Sequence, residues 1–395
     1  MSGWVAVFGD MPMSIVDPGF RPRLMLAEAQ ALALVQRACS AAARQPALLA
    51  SGGVRTDPGL AQLVRQHSSG DSVTSVQVSH MQRLWGGMGA VLEVRARTGS
   101  GVEATLIVKH IELPAYAALS VGDERKRASY ECEAKFFETA ADELRRVAGC
   151  HVPAGLLVDR SDDGKLNIVM SKLPKRGTSN SRSALQLEDT ISGDREQGEF
   201  SSESDEPDNT NMALSTQQTE AAIDFLAKLH GHTWGSRADA FVARGLQPRG
   251  SYWYLDTRLD EWEAMPQQGW EGRLRRAARA IDRRLLDDTY QCIIHGDAKA
   301  DNMNFDEEGA VSMCDFQYCG RESPMKDLAY LLCCASESGC SPASSDRHLG
   351  RYHATLCSVL KRRAENENAE PSGGTEKLDA KPPELSVLKV TAPAV

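Results

Sequence analysis

The sequence predicts an α+β protein with a β-rich first half and a mostly helical second half. Three observations carry this prediction. Short runs of β-branched residues separated by tight turns lie between residues 73 and 170, helix-forming stretches dominate from 216 onward, and an acidic, apolar-poor segment separates the two halves. A chain of 395 residues has enough material for two or three structural units with cores of their own.

Composition and charge exclude several classes of protein. The chain carries 45 Lys and Arg against 54 Asp and Glu, a net charge of −9, and no apolar run approaches the roughly 18–20 residues that a membrane span needs. We therefore expect a cytoplasmic protein that binds neither nucleic acid nor a membrane. The ten cysteines show no C-x-x-C pair and no zinc-type spacing, which favours buried thiols over disulfides or a zinc site.

Most of the negative charge falls in two segments. Residues 175–212 hold nine acidic and four basic residues, and the tail at 364–395 holds six and three. Their net charges of −5 and −3 account for −8 of the −9, so the rest of the chain is close to neutral. Both segments are poor in strongly apolar residues, and we expect them to be disordered.

The first half is predicted to be an extension followed by a β-rich lobe. Residues 1–70 form the extension, with a helix at 26–49. The lobe, 71–174, is expected to contain an antiparallel three-stranded meander and a later hairpin, with strands at 73–84, 90–96, 104–111, 155–159 and 166–170. A single helix is expected at 124–148, between the meander and the hairpin.

The second half, 213–363, is predicted to be helical around one polar hairpin. Helices are expected at 216–234, 270–287, near 328–332 and at 352–361, with a short strand at 292–297 and a hairpin at 303–316. We expect the two strands that flank the loop between 297 and 303 to pair with each other. The helix at 270–287 has an apolar stripe and a basic face. We expect the stripe to pack on the protein and the basic face to be exposed to water. The stripe consists of Leu274, Ala278, Ile281 and Leu285, and the basic face of Arg273, Arg275, Arg276, Arg279, Arg283 and Arg284.

The strongest chemical signal is the run HGDAKADN at 295–302, which is followed across the hairpin by DFQ at 315–317. Asp, Asn and Gly favour turns in any protein, but the order strand, polar loop, hairpin and Asp favours a functional site. Phosphoryl transfer from ATP needs a carboxylate at the attacking hydroxyl and hard oxygen ligands for Mg²⁺. Asp297 suits the first task, and Asn302 and Asp315 suit the second.

Lys299 lies two residues after Asp297 and would neutralise charge on the transferred phosphate. These motifs resemble those of the aminoglycoside phosphotransferase and choline kinase-like group. HGDAKADN followed by CDFQYCGRESPMKDLAYLL is most similar to the ecdysteroid kinase-like (CHK-type) branch of that group. The resemblance implies an α+β, bilobal protein-kinase-like fold with a β-rich N-lobe and a mostly helical C-lobe. It also implies transfer of a phosphate from ATP, with Mg²⁺, to the hydroxyl of a small-molecule acceptor.

The resemblance also assigns roles within the C-lobe. Asp297 would be the catalytic base, and Asn302 and Asp315 would be metal ligands. His295 would support the catalytic loop, and Asp327 would anchor it from the following helix.

The N-lobe would then hold the nucleotide. Gly86, Gly87 and Gly89 form a turn between the first two strands, where backbone N–H groups can approach phosphates. Lys109, in the third strand, would bind the phosphates, although an edge lysine that faces water gives the same pattern.

Lys109 needs an acidic partner on the next helix. Glu133 fits the family pattern, and Glu131 and Glu124 remain alternatives. The segment 168–173 would be the hinge between the lobes, with Met170 and Leu173 beside the adenine.

Two other functions remain open at this point. The C-lobe ends early, near residue 363, which suits a nucleotide-binding pseudokinase or scaffold with an incomplete acceptor site. A protein kinase is disfavoured because HGD replaces HRD, DFQ replaces DFG, and no A-P-E-like motif follows. The sequence names neither the acceptor nor the oligomeric state.

Overall fold

The fold was analysed in a computed structural model of the chain. The structure describes residues 26–45, 48, 58–84, 87–112, 121–161, 164–173, 213–251, 254–337, 341–369 and 383–385. The predicted acidic insertion at 175–212 lies outside the described residues.

The N-lobe is built on a five-stranded antiparallel sheet in the order β1-β2-β3-β5-β4. Its strands are β1 (Val73–Arg83), β2 (Gly89–Thr98), β3 (Glu103–Glu112), β4 (Gly155–Arg160) and β5 (Lys165–Ser171). Burial alternates along β2, because successive side chains point to opposite sides: Leu92 and Val94 are buried on one face, whereas Arg95 and Arg97 are exposed on the other. The predicted meander and hairpin are confirmed, and β5 joins them by pairing with β3.

One face of this sheet is covered by the two N-terminal helices, α1 (Glu28–Ala43) and α2 (Pro58–Ser68). Their apolar side chains share a core with those of the sheet; members of that core are Val35, Ala38, Leu60, Leu63, Leu92, Val94 and Leu106. The predicted helix at 26–49 is confirmed, although it is shorter. The region expected to be an extension is therefore packed on the lobe.

The other face packs on α3 (Val121–Thr139). The sequence predicted one helix over 124–148, and this is wrong at its C-terminal end. The helix stops at Thr139, and the chain continues through a short helix, α4 (Ala141–Glu143), and a π-helical turn (Leu144–Ala148) that ends at Gly149 with φ of 65°. A glycine in this left-handed conformation is a common helix end.

The C-lobe is mostly helical, as predicted. Its helices are α5 (Thr216–His232), α6 (Ser236–Ala243), α7 (Leu259–Ala264), α8 (Gly269–Leu286), α9 (Met325–Cys334) and α10 (Pro342–Ala369). The fold is therefore the α+β bilobal arrangement that the sequence implied, with a β-rich N-lobe and a mostly helical C-lobe.

Two small sheets carry the loops of the candidate site. β6 (Cys292–Ile294) pairs with β9 (Gly320–Glu322), and β7 (Met303–Phe305) pairs with β8 (Val311–Met313). The expectation that the strands flanking the loop pair with each other is wrong, because β6 and β7 belong to different sheets. The loop still closes on itself, since the β7–β8 hairpin folds back toward it.

The C-terminal boundary also needs correction. Helix α10 continues to Ala369, six residues beyond the predicted end of the lobe at 363. In the predicted disordered tail, the Pro383 carbonyl accepts a hydrogen bond from His353 Nε2 at 2.8 Å, and Leu385 packs on the C-lobe core. This stretch of the tail is therefore in contact with the lobe. Among the described helices, none is long and apolar enough to span a bilayer.

Candidate active site

The loop after β6 is held by one buried carboxylate. Asp327, in the first turn of α9, accepts hydrogen bonds from the backbone N–H groups of His295 at 2.7 Å and Gly296 at 2.9 Å. Its other neighbour is His230 Nε2, at 3.2 Å. Burial raises the pKa of the Asp327 carboxyl, but these partners hold it below its ordinary value, so the group is ionised. The predicted anchoring of the loop by Asp327 is confirmed.

His295 orients the loop from inside the core. Its Nε2 lies 3.0 Å from the carbonyl oxygen of Cys314, which can only accept, so Nε2 carries the hydrogen. Nδ1 is then the acceptor for the backbone N–H of Asp297 at 3.3 Å. The ring therefore joins the predicted base to the residue before Asp315. Both ring nitrogens are occupied by backbone groups, which fits a supporting role.

Asp297 lies at the base of the cleft with two neighbours on one oxygen. Asn302 Nδ2 donates to the Asp297 carbonyl oxygen at 2.8 Å and to its Oδ2 at 3.0 Å. Lys299 Nζ lies 3.4 Å from the same Oδ2, on a side chain that is 41% exposed. Both of these contacts use Oδ2.

Asp315 lies next to Asn302 because the two chain segments are bonded. The backbone N–H of Cys314 donates to the Asn302 carbonyl oxygen at 3.0 Å. Asp315 itself has φ of 65°, a left-handed conformation that Asp tolerates better than most residues. This conformation places its Oδ1 2.8 Å from Lys109 Nζ and leaves Oδ2 with a long contact of 3.4 Å to Gln317.

The N-lobe contributes Lys109 to the same place. Its Nζ lies 2.5 Å from Glu133 Oε2, deep between β3 and α3, in addition to its contact with Asp315. Of the other two candidate partners, Glu131 pairs with Arg160 and Glu124 is exposed. The structure therefore brings Glu133 to Lys109, on the interface between the lobes.

The pKa values of Lys109, Glu133 and Asp315 are linked, because the two carboxylates share the ammonium group of Lys109. Burial alone would lower the pKa of Lys109, but Asp315 and Glu133 together raise it, so the lysine is charged. Burial raises the pKa of the Glu133 carboxyl to about 7, against the attraction of Lys109. The pKa of Asp315 is held low mainly because Lys109 opposes the effect of burial. Asp315 is thus the carboxylate that stays ionised near neutral pH.

Aromatic packing fixes the helix that carries Glu133 against the segment that carries Asp315. The rings of Phe136 and Phe316 are stacked, with centroids 3.8 Å apart and an angle of 4°. His295 lies on Phe316 with a centroid distance of 4.6 Å. A continuous stack therefore connects the catalytic loop, the metal-ligand candidate and α3.

The glycine turn connects β1 and β2, and one of its backbone amides is already hydrogen-bonded within the turn. Lys109 pairs with Val91, two residues after Gly89. A Cβ added to Gly87, which has φ of 69°, would meet nothing within 4 Å, but the Gly87 N–H donates to the Leu84 carbonyl oxygen at 3.0 Å. Gly89 is required for packing, because a Cβ there would lie 2.0 Å from the His110 carbonyl oxygen. Gly86 lies outside the described residues.

The hinge candidates lie at the end of β5. Met170 is buried, faces α3, and pairs with Ile107, two residues from Lys109. Leu173 follows the strand and is half-buried. Between them, Lys172 forms an ion pair with Glu93 on β2.

Sequence reasoning missed three residues of the site. Tyr330 lies one turn after Asp327 on α9 and hydrogen-bonds to the Asp297 side chain; burial together with this carboxylate raises the pKa of its phenol. His230 bonds to Asp327, and its Nδ1 lies 3.0 Å from the Tyr352 hydroxyl. The spacing of Asp327 and Tyr330 on one helical face was a usable signal for the first of these.

The chemistry of the site suits a hard divalent cation. The amide nitrogen of Asn302 donates to Asp297, so its amide oxygen can coordinate a cation. Asp315 Oδ2, which has only a long contact with Gln317, can supply a second oxygen ligand. Amide and carboxylate oxygens are ligands that Mg²⁺ accepts, usually with substrate phosphates and water completing the shell. In the described ranges there is no cluster of three or more His, Cys, Asp or Glu side chains able to hold a metal by themselves. The residues therefore fit a cation that binds together with a phosphate.

The site combines a buried lysine–glutamate pair from a β-rich lobe with a loop that carries Asp and Asn and with a later Asp. This combination defines the class of site found in kinase-like phosphotransferases. The sequence agrees over the C-lobe. Residues 197–365 match the sequence model described as "Phosphotransferase enzyme family" (APH). No curated protein sequence matches the chain.

Solved structures with similarity to this chain include three kinases of small molecules. Macrolide 2'-phosphotransferase MphH from Brachybacterium faecium is 15% identical, covers 85% of this chain and 97% of its own, and gives a TM-score of 0.38. Amicoumacin kinase hAmiN is 12% identical, with 80% and 87% covered and a TM-score of 0.41. Aminoglycoside phosphotransferase APH(3'')-Id from Streptomyces rimosus is 15% identical, with 67% and 83% covered and a TM-score of 0.35. The fold assignment rests on the sheet order and helices of this chain.

Proposed function

We propose that this protein transfers the γ-phosphate of ATP to an alcohol group of a small molecule. The observation that carries the proposal is the arrangement of Lys109, Glu133, Asp297, Asn302 and Asp315, which come from four separate parts of the sequence and meet in one cleft. The match of the C-lobe to a phosphotransferase family supports the same conclusion.

Asp297 is the proposed base. Its Oδ2 is engaged by Asn302 and Lys299, which fixes the direction of the carboxylate. The carboxylate then accepts the hydrogen of the acceptor hydroxyl, which orients the oxygen lone pair toward the γ-phosphorus. The proton passes to Asp297 as the new P–O bond forms.

The N-lobe residues are proposed to bind the nucleotide. Lys109 carries a full charge in a site shielded from water, where it interacts strongly with phosphate oxygens. Glu133 holds the lysine in that direction. Met170 and Leu173, at the end of β5, are proposed to contact the adenine, and the half-exposed Lys299 is proposed to contact the transferred phosphate.

Asn302 and Asp315 are proposed to hold Mg²⁺, which when bound neutralises phosphate charge and supplies electrostatic stabilisation to the reaction. Asp315 also touches Lys109, so binding of the cation and of the nucleotide are expected to depend on each other. We also propose that the chain belongs to the ecdysteroid kinase-like branch, which its motifs suggest. The acceptor is proposed only as a small-molecule alcohol.

The test compares three forms of the full chain. Nucleotide affinity is measured by calorimetry with Mg-ATP, and turnover is measured as ADP release with sterols, choline, amino alcohols, sugars and aminoglycosides. Asp297→Asn is expected to lower turnover by about 10²–10⁴-fold and to leave nucleotide affinity nearly unchanged. Asp315→Asn is expected to weaken Mg-ATP binding itself. Asp301→Asn, on the exposed side of the same loop, is the matched control and is expected to keep both.

Two outcomes would contradict the proposal. Tight Mg-ATP binding without turnover on any acceptor would favour the alternative of a nucleotide-binding pseudokinase or scaffold. No change in binding or turnover in either site variant would show that the cleft around Asp297 is not the site of reaction.

A further inference from the structure

Strand β1 lies at the edge of the N-lobe sheet and is its longest strand. It has 11 residues, and β2 is its one strand partner among the residues that the structure describes. The side chains of Ser75 and Gln77 and all those from Ser79 to Arg83 are exposed. An edge strand presents a row of backbone N–H and C=O groups that can pair with another strand. The exposed edge of β1 is therefore a candidate contact surface.

The backbone at the start of β1 is bonded to the N-terminal helices. The Val73 carbonyl oxygen accepts from Gln36 Nε2 on α1 at 2.7 Å, and the Val73 N–H donates to His67 Nδ1 on α2 at 3.4 Å. Within the described part of the chain, residues 74–83 make no backbone–backbone hydrogen bond apart from those with β2. An antiparallel strand directs about half of its backbone groups to each side. The groups on the outer side of this stretch can therefore bond to a further strand.

The two edges of this sheet differ in charge. β4, at the other edge, has six residues, and its charged side chains are paired, Asp159 with Arg37 and Arg160 with Glu131. β1 has no Asp, Glu, Lys, Arg or Pro before Arg83, although 25% of the chain is charged. Charged residues and proline are the usual means by which proteins keep a long edge from pairing with another strand. Over most of its length, β1 has neither.

The middle of β1 is regular and apolar on one side. Its pairing with β2 is irregular near both ends and regular from 75 to 80. Val76 and Val78, within this stretch, are half-buried and pack on the core that the sheet shares with α1 and α2. A neighbouring strand would cover more of these two side chains and complete the hydrogen bonds of the edge.

We propose that β1 pairs with β1 of a second copy of this chain, which joins two five-stranded sheets into one continuous antiparallel sheet. A two-fold axis at Gln77 sets Val76 opposite Val78 of the second copy and Ser75 opposite Ser79 of the second copy, and each pair occurs twice. Directly opposite residues lie on the same face and contact each other. Moving the axis by one residue in either direction would set a valine opposite a threonine or a histidine.

The charge of the edge favours this occupant over a strand from another protein. An uncharged edge pairs best with an uncharged strand, because a charged side chain beside it would lose water without gaining an opposite charge. β1 itself is such a strand, and its valines and serines match in the antiparallel direction. The pairing uses none of the residues proposed for phosphate transfer, so its test is separate from the test of the active site.

The experiment is sedimentation velocity of the full chain over a range of micromolar concentrations. The wild type is expected to form a reversible dimer. Ser75→Lys/Ser79→Lys sets lysine opposite lysine twice and is expected to raise the dissociation constant about tenfold. Ser75→Lys/Ser79→Glu sets each lysine opposite a glutamate and is expected to dimerise as tightly as the wild type or more tightly. Position 75 meets position 79 only when the axis lies at Gln77, so the two variants also test the register.

The matched control is Gln217→Lys/Ser358→Lys, which adds two lysines at exposed positions on α5 and α10. It is expected to dimerise like the wild type. Circular dichroism checks that each variant is folded, which is expected because all the substituted side chains are exposed. If Ser75→Lys/Ser79→Lys does not fold, Gln77→Lys, at the axis itself, takes its place and is expected to weaken the dimer.

Three results would overturn the proposal. The first is a wild type that stays monomeric over the whole range, as it would if another segment of the chain or another protein occupied the edge. The second is a dimer whose dissociation constant is the same in both β1 variants, which would place the contact elsewhere or in another register. The third is a control that weakens the dimer as much as Ser75→Lys/Ser79→Lys does.

Discussion

Replacing Asp327 with Asn tests the most consequential contact of the fold. The side chain keeps its size, so the substitution changes hydrogen bonding and charge alone. The carboxylate accepts from two backbone N–H groups at 2.7 and 2.9 Å and contacts His230 at 3.2 Å. Asn has one acceptor oxygen, so it must present an N–H₂ group to at least one of these donors.

The expected loss can be worked from these bonds. A hydrogen bond to a charged group contributes about 1.5–3 kcal/mol, and a neutral one about 1 kcal/mol. One bond is lost and the other becomes neutral, which predicts a loss of about 2–4 kcal/mol in the free energy of unfolding. At about 2–4 °C per kcal/mol, the melting temperature should fall by about 5–15 °C. Turnover should fall as well, because the backbone of His295 and Gly296 determines the direction of Asp297.

The assay is urea and thermal denaturation followed by circular dichroism, with Asp260→Asn on the exposed side of α7 as the control. Because the folded pKa of Asp327 lies below its ordinary value of 3.8, its stabilisation is complete above that pH and is lost as the pH falls further. The difference between the wild type and the variant should therefore shrink below pH 3.8. An Asp327→Asn protein as stable as the control at pH 7 would refute the anchoring argument.

Three further predictions concern other parts of the molecule. The hydrogen bond from His232, together with one from Arg244, lowers the pKa of Glu143 to about 2. Glu143→Gln should therefore lower the free energy of unfolding by about 1–2 kcal/mol at pH 7. Urea titrations should show that this difference disappears as the pH falls from 4.5 to 2. Tyr330→Phe removes the hydroxyl that bonds to Asp297, the proposed base, and should lower turnover severalfold, while calorimetry should show unchanged Mg-ATP affinity. Gly89→Ala places a methyl group 2.0 Å from a carbonyl oxygen and should destabilise the fold by about 3 kcal/mol in thermal melts, whereas Gly87→Ala, in open space at positive φ, should cost about 1 kcal/mol.

The sequence was sufficient to predict the parts of the site that lie close together along the chain. Asp297 and Asn302 are five residues apart, and Asp315 follows across a short hairpin, so their convergence depends on local turns. The alternating pattern of the N-lobe strands likewise predicted the meander, because each strand pairs with its neighbour in sequence.

Contacts between segments that are distant in the sequence were harder to predict. β6 has three residues, too few for a periodicity, and its partner β9 begins more than 20 residues later. The apolar stripe of α8 was read correctly as amphipathic, but an amphipathic pattern does not say whether a partner covers the apolar side, and Leu274 of this stripe is 40% exposed. The choice of Glu133 over Glu131 depends on which face of α3 meets β3, and this is decided by packing of Phe136 on Phe316.

The left-handed backbone of Asp315 has a consequence for how this protein can lose activity over evolutionary time. Aside from glycine, Asn is the residue that most readily shares this conformation with Asp. An exchange of Asp315 for Asn would therefore remove the charge without disturbing the chain path. Descendants that have lost phosphate transfer should carry Asn at this position more often than any other side chain, and they should need no compensating substitutions nearby.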